Sequence, residues 1–343
     1  MDIITQGLLG GLLAQSVAKN DKSGRSERKR ATLVGVLAGL LADADILISS
    51  ASDPLLTIEY HRHFSHSLLF IPVGAAMAFM LLWPFMRRHL SLPRLYIYCF
   101  MGYSMSGLLD ASTSYGTHLF WPFSDERVAW HLISIIDPLF SLILLVALIS
   151  GLLMNRRYIT HVGLVLAFSY MVFGFIQLQR ASDIATDLAS SRGHPTAQHV
   201  VKPTIGNLIL WRSTYIHEQR IYVDAVRIGL FSDNHIYEGE SVELFSVTKD
   251  LPDLPLDSQL YADIERFRIF SDGFVAVDPT QANVIGDIRY SMLPTSTKPL
   301  WGIVIDNTQP QQHADYQFFR DLSQEGRQTF ENMLFGRCVA EKC

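Results

Sequence analysis

The first 180 residues carry a series of apolar stretches near the length of a bilayer crossing, and this restricts the chain to folds built in lipid. A spanning helix needs about 20 mainly apolar residues, and about 17 suffice when the span is short. Runs at 33–48, 67–86, 95–109, 132–154 and 159–178 approach or meet that length. A sixth, 3–18, is either a short span or a re-entrant helix, and its Gly7, Gly10, Gly11 and Ala14 suit close helix approach in lipid. The pattern predicts an α-helical polytopic membrane domain of five to six helices over residues 1–180. The run 3–18 is glycine-rich, starts beside Asp2 and precedes its basic cluster, so it reads as a retained segment and not as a cleaved signal peptide.

Beyond residue 180 the composition changes. The chain as a whole is 49% hydrophobic and 18% charged, too apolar for an ordinary soluble protein and too polar for one that lies wholly in lipid. Most of the Asp, Glu, Pro and Asn falls in 181–343, which reads as a soluble α+β domain. Alternation predicts strands over 219–228, 273–277 and 301–305, and helical spacing covers 258–267 and 315–334, with Pro252, Pro255, Pro294 and Pro299 marking turns. The net charge of -5, with no basic stripe beside aromatics, argues against a nucleic-acid partner. Cys99 sits in an apolar run as a small hydrophobe, whereas Cys338 and Cys343 can pair if their compartment is oxidising.

Lysine and arginine next to spans stay on the cytoplasmic side. Three short loops qualify: the first holds Lys19, Lys22, Arg25, Arg28, Lys29 and Arg30, the second Arg87, Arg88 and Arg94, the third Arg156 and Arg157. Counting spans between them places 49–66, 110–131 and everything after residue 180 on the opposite, non-cytoplasmic face, which in a bacterium is the periplasm. The same count gathers Asp43, Asp45, His61, His63, His66, Asp110 and Asp137 at helix ends on that one face.

Ionisable groups at a bilayer's edge are costly unless paired, hydrated or bound to an ion. Asp43 and Asp45 repel each other in a dry site, and a cation relieves this. Carboxylate oxygen together with neutral imidazole nitrogen suits zinc, manganese or iron better than calcium, with zinc or manganese favoured. Asp43, Asp45, His61, His66, Asp110 and Asp137 are the candidate metal ligands. Residues two apart on an ideal helix point to nearly opposite sides, so Asp43 and Asp45 both ligate only if the helix ends there. Otherwise one of them orients a histidine. Asp137 is followed by Pro138 and reads equally as a ligand or as a helix cap. Arg62 and Arg127 flank these residues and are candidates to hold a phosphate, or else to reach lipid headgroups.

The chain resembles the bacterial inner-membrane metal-dependent hydrolases of the YdjM-like family. The likeness rests on Asp2 with Thr5-Gln6, Asp43-Ala44-Asp45, His61-Arg62 with Ser65-His66-Ser67, Leu109-Asp110 with Thr113 and Tyr115-Gly116-Thr117, Trp121-Pro122-Phe123-Ser124 and Ile136-Asp137-Pro138. It covers roughly residues 1–140. Some members carry histidine at the position of Gln6, and His63 and His118 lie outside the shared pattern. The resemblance implies metal-dependent hydrolysis without naming a substrate. A site at the membrane surface points to membrane lipid or a lipid-linked phosphoester, with Asp45 as base where it is not a ligand and Arg62 and Arg127 on the substrate. Two other classes fit the same residues: a membrane-anchored binding protein without catalysis, and an ion- or proton-coupled transporter, which would set its charges mid-membrane in repeated halves.

The orientation has a direct test. Cysteine replacements of Ser52 and Ser124 are expected to react with an impermeant thiol reagent from the periplasm, and one of Ser23 to be protected; labelling of position 23 from outside overturns the arrangement.

Overall fold

The computed structural model describes residues 1–19, 24–195, 198–229, 233–320 and 323–337. Eight helices come first: α1 (Ile3–Ser16), α2 (Gly24–Leu41), α3 (Leu56–Tyr60), α4 (Ile71–Met86), α5 (Leu92–Tyr103), α6 (Ser106–Ala111), α7 (Pro138–Met154) and α8 (Arg157–Ser191). Two four-stranded sheets and three further helices follow. The helical part followed by a sheet-rich part is the layout read from the composition. By its internal contacts the chain divides into two units: Met1–Ile48, Tyr60–Ile176 and Ile205–Asn207 form the first, and Ser49–Glu59, Gln177–Thr204 and Leu208–Cys343 the second. The segment Ser49–Glu59, read from the sequence as part of the loop 49–66, thus groups with the second unit.

In the first unit the helix ends follow local chemistry. The Asp2 carboxylate accepts from Thr5 N at 3.0 Å to cap α1, and Asp137 accepts from Phe140 N at 3.0 Å to cap α7, whose first residue is Pro138. Among the described residues two helical segments are long and apolar enough to cross a membrane, Leu68–Met86 and Arg157–Ser191, with Pro138–Met154 a shorter apolar helix. Many of the unit's hydrophobic side chains face outward. Met80 and Phe85 of α4, Val146 and Leu153 of α7, and Val165 and Phe168 of α8 are exposed. Inside, Gln15 donates to Thr32 Oγ1 and Leu148 O at 3.2 and 3.1 Å, while Thr160 Oγ1 donates to Gln15 Oε1 at 2.6 Å. Such an arrangement suits lipid as the solvent, because apolar surface then costs nothing and buried polar groups must satisfy one another. Small residues bring the backbones together: a Cβ added at Gly10 would stand 2.6 Å from Gly35 O and 2.9 Å from Gly102 O.

The second unit contains the sheets β1 (His199–Pro203), β2 (Leu210–His217), β3 (Arg220–Arg227), β4 (His235–Glu243) and β5 (Val275–Asp278), β6 (Gln281–Asp287), β7 (Trp301–Val304), β8 (Asp315–Phe318). Each sheet is antiparallel in chain order. Glu218 and Gln219 connect β2 to β3 with φ of 45° and 60°, the backbone hand a two-residue hairpin requires. Ile221 and Val223 of β3 pack with Phe274, Ala276 and Ile288 to form a core cluster that draws on both sheets. The remaining helices are α9 (Val247–Asp250), α10 (Gln259–Phe270) and α11 (Gln324–Leu334). One expectation is corrected: 315–334 is not a single helix. Its first part is β8, which pairs with β7 from Asp315↔Val304 to Phe318↔Trp301, and the helix starts only after the cap Ser323. Cross-strand pairing overrides the helical spacing there. Cys338 and Cys343 lie outside the described residues, and Cys99 is a buried free thiol.

One buried charge stands out in this unit. Lys202 of β1 is buried, its Nζ lies 2.8 Å from the centroid of the Tyr290 ring, and that nitrogen makes no hydrogen bond. Burial pushes its pKa well below the ordinary lysine value. An unfolded chain therefore binds more protons at Lys202 than the folded one, and stability rises with pH between the lowered folded value and the ordinary value of about 10.4. Lys202→Met is expected to raise the melting temperature of the second unit's transition at pH 7. It is also expected to reduce the stabilisation that wild type gains between pH 7 and 9. Calorimetry at the two pH values checks this, and an unchanged pH response in the variant contradicts it.

Candidate metal centre

The helix α2 does not run through its acidic end. It stops at Leu41 and tightens into a 3-10 turn, Ala42–Leu47, which carries Asp43 and Asp45. Residues 61–66 return to it through a bend in which Arg62 takes φ of 62°, followed by a second 3-10 turn, Phe64–His66. Left-handed backbone is disfavoured for arginine, so neighbouring groups must hold it. The third element is α6, which carries Asp110 in its last turn. It passes so near that a Cβ at Gly107 would overlap the His66 carbonyl.

These three elements bring Asp43, His66 and Asp110 together. Each offers one ligand atom, and the three atoms lie within 4.8 Å of one another. His66 Nε2 stands 2.9 Å from Asp110 Oδ2 and 3.3 Å from Asp43 Oδ1. Despite this proximity the nitrogen makes no hydrogen bond, since neither oxygen lies along its N–H direction. Tetrahedral zinc with bonds near 2.1 Å sets its donors about 3.4 Å apart, so spacing and donor types both fit such an ion. Gln6, which is buried, sits at the same place: its Nε2 donates to Asp110 Oδ2 at 2.8 Å and Asp43 Oδ1 at 3.2 Å, while its Oε1 has no partner. Turned over, that carboxamide presents its oxygen to the same oxygens' common point, as a neutral fourth donor. Burial disfavours charge on His66, but the carboxylates of Asp110, Asp43 and Asp45 outweigh it and push its pKa up to about 10. Without an ion, the imidazolium supplies the positive charge that these carboxylates require.

Asp45 has a different task. Its Oδ1 lies 2.9 Å from His61 Nδ1, and its Oδ2 accepts from Arg62 N at 2.8 Å and Ser65 Oγ at 2.6 Å. His66 Nδ1 is 3.1 Å from the same Oδ2. A carboxylate on the Nδ1 side of a histidine leaves Nε2 for the metal and fixes the ring's direction. Asp45 thus stands on the Nδ1 side of His66, outside the group of Asp43, His66 and Asp110 that could hold an ion. It also orients His61, whose ring stands 6.4 Å from that of His66 and is partly exposed.

Other predicted residues are placed elsewhere. Asp137 is not in the ligand group: besides capping α7 it accepts from Tyr170 Oη at 3.1 and 3.0 Å on its two oxygens, and these contacts account for its burial. His63 faces away toward His118 and Trp121, at ring separations of 4.4 and 5.8 Å. Arg62 is buried, lies 3.4 Å from Asp110 Oδ1 and donates to Thr113 Oγ1 at 3.2 Å. The amino group of Met1 also donates to Asp110 Oδ1. Arg62 and Arg127 both approach the Tyr115 ring, at 4.9 and 5.0 Å from its centroid, and Arg127 donates to Tyr115 O at 3.0 Å. Ser65 and Tyr115 were visible only as parts of motifs, because a hydroxyl or ring that braces a charged neighbour leaves no spacing signature of its own.

All of these residues fall in the part of the chain that the model of the YdjM inner membrane protein family matches, residues 1–181. The chain belongs to that family. Neither the curated proteins nor the solved structures provide a match. Membership in the YdjM family makes this an inner membrane protein, in agreement with its two helices of spanning length.

Zinc titration of purified variants tests the division of roles. His66→Ala and Asp110→Ala are expected to abolish stoichiometric binding, and Asp45→Asn to weaken it by about 10- to 100-fold through the loosened imidazole. Asp137→Ala should retain the metal and lose about 1–2 kcal/mol of stability as a lost cap. Metal lost in Asp137→Ala but kept in Asp110→Ala would reverse the assignment.

Proposed function

We propose that this YdjM-family chain is a membrane-embedded metal-dependent hydrolase, a phosphoesterase acting on a lipid or lipid-linked substrate at the periplasmic membrane face. The observation that carries the reading is the convergence of His66 Nε2, Asp43 Oδ1 and Asp110 Oδ2 on one point, with Asp45 orienting the imidazole. Asp43, His66, Asp110 and Gln6 would hold the ion, zinc or manganese by their donors. When bound, such an ion lowers the pKa of its water toward about 7 and polarises a phosphoryl oxygen.

The remaining chemistry belongs to side chains. Asp45 is surrounded by His61, Arg62 N, Ser65 and His66, which leaves it poorly placed to take a proton from a substrate. His61 is the better acid–base residue in this reading: Asp45 holds its Nδ1, and the outer nitrogen of a partly exposed ring remains for proton transfer. The guanidinium groups of Arg62 and Arg127, both over Tyr115, supply positive charge for phosphate oxygens. In the same reading the first unit crosses the membrane five to six times, with the second unit in the periplasm, as the basic loops indicate.

Protein purified without chelators and assayed in detergent–lipid micelles with zinc or manganese is expected to release phosphate from a lipid phosphomonoester. His61→Ala should lower kcat by about 10²- to 10⁴-fold while keeping the metal, and Arg127→Ala should act mainly on KM. Wild type that holds no zinc, manganese or iron, and gains none on reconstitution, would leave the anchor reading in its place.

A further inference from the structure

Residues 118–127 form a loop of the first unit with a pinned base and an apolar tip. The base is a mutual pair: Thr117 N donates to Val128 O at 3.1 Å, and Val128 N to Thr117 O at 2.9 Å. Next to it His118 N donates to Arg62 O at 3.0 Å, and Leu119 O accepts from Leu68 N at 3.0 Å. The loop is thereby bonded both to the bend at Arg62 and to the first residue of the helical segment Leu68–Met86, which is long and apolar enough to span. The Leu119 side chain is buried against α6, where a Cβ on Gly107 would stand 3.4 Å from its Cδ1. The tip then turns tightly, with Phe123 N donating to Phe120 O at 2.9 Å. Trp121 packs inward on His63 and Phe64, at ring separations of 5.8 and 6.1 Å. Phe120 and Phe123 face outward, and Phe123, at 85%, is the most exposed large apolar side chain among the described residues.

In water, a phenyl ring held out by a pinned backbone forfeits the gain of burial; at a membrane surface it does not. The neighbouring surface is of the same kind, since Leu68, Leu69 and Val73 at the start of the span are exposed. The first residues of a span lie near the headgroups, and the loop is hydrogen-bonded to the first of them. Polar chain resumes at Ser124, whose Oγ accepts from Glu126 N at 3.1 Å, and runs through the exposed Asp125 and Glu126 to Arg127 beside Tyr115. One loop thus joins an apolar tip to a cationic base, the two ends of a phospholipid's tail and phosphate. We infer that the turn 120–123 is a lipid-inserted lip beside the metal centre: Phe120 and Phe123 sit among the acyl chains of the leaflet in which Leu68–Met86 begins, with Arg127 at the level of the phosphates. The insertion stands on the fold and on the family's inner-membrane character. Its consequence, that a phospholipid-like substrate reaches the site from the side with its tail along the lip, rests on the phosphoesterase reading.

Spin labels on the full chain in liposomes of phosphatidylethanolamine and phosphatidylglycerol test the insertion, in a Cys338→Ser, Cys343→Ser background, Cys99 being buried. A label on Phe123→Cys is expected to collide with oxygen several-fold more than with a water-soluble nickel chelate, as one on Val73→Cys in the span does. A label on Glu126→Cys should show the reverse. A Phe123 label that favours the nickel chelate overturns the inference. So does one shielded from both reagents, because protein, whether a second copy or another part of this chain, then covers the tip. The consequence is read from kcat/KM for dioleoyl phosphatidate divided by that for the water-soluble dihexanoyl phosphatidate. Phe123→Ser is expected to lower this ratio about tenfold, roughly what burial of one aromatic side chain is worth. An unchanged ratio overturns entry from the side. Wild type that hydrolyses neither lipid sinks the phosphoesterase reading, and the oxygen and nickel collisions at position 123 still decide the lip.

Discussion

The carboxylate of Asp45 is the interaction on which the site depends. Buried, it gathers His61, the Arg62 amide, Ser65 and His66 around two oxygens. A buried carboxylate left short of partners is among the costliest groups a protein can hold, so the return of residues 61–66 to the end of α2 follows from its demand. That return sets His66 against Asp43 and Asp110. The order is from charge to backbone to site geometry: the 3-10 turn frees Asp43 and Asp45 from helical spacing, Asp45 gathers the histidines, and His66 is left with its Nε2 toward Asp43 and Asp110.

Lipid makes this demand stricter. A helical unit whose outer side chains are apolar cannot send a spare polar group to water, so Gln15, Thr32 and Thr160 satisfy one another. The acidic cluster is the exception: Gln6 and Met1 donate to it and Arg62 lies 3.4 Å from Asp110 Oδ1, yet His66 Nε2 and Gln6 Oε1 make no hydrogen bond. Buried polar atoms without partners are rare, and in a group of oxygen and nitrogen donors they point to an ion. In the second unit Lys202 presents the opposite case, a lone amine against the Tyr290 ring, with no converging donors and no carboxylate hydrogen-bonded to it. It reads as a cost to stability and not as a site.

The two aspartates show how far helix geometry carries. It restricts Asp43 and Asp45 to either two ligands at a broken helix or one ligand and one orienting group; the helix does end there, and Asp43 alone of the two falls in the group that could hold an ion. Asp137 was undecidable from sequence because an N-cap before proline and a metal ligand require the same residue at the same helix end. Only Tyr170, 33 residues away in sequence, settled its partners. In the second unit, 315–334 misled for a related reason, since a helical pattern of apolar residues cannot report that β7 pairs with the first four.

What the sequence determined by itself are the properties that depend on composition and local order: apolar runs confined to the first half, a sheet-rich second half, caps at Asp2 and Asp137, and acids and histidines at helix ends. These follow from short-range backbone preferences and the cost of placing charge in lipid, and both act within a few residues. The tertiary structure decided which atoms meet. Gln6 joins the acidic cluster, Asp45 stands on the far side of His66, His63 turns away, and Arg266 reaches Glu59 across 207 positions. Contacts of that kind depend on how helix ends and loops close in space, where a change of backbone hand at Arg62 redirects every side chain after it, and no spacing in the chain encodes such a turn.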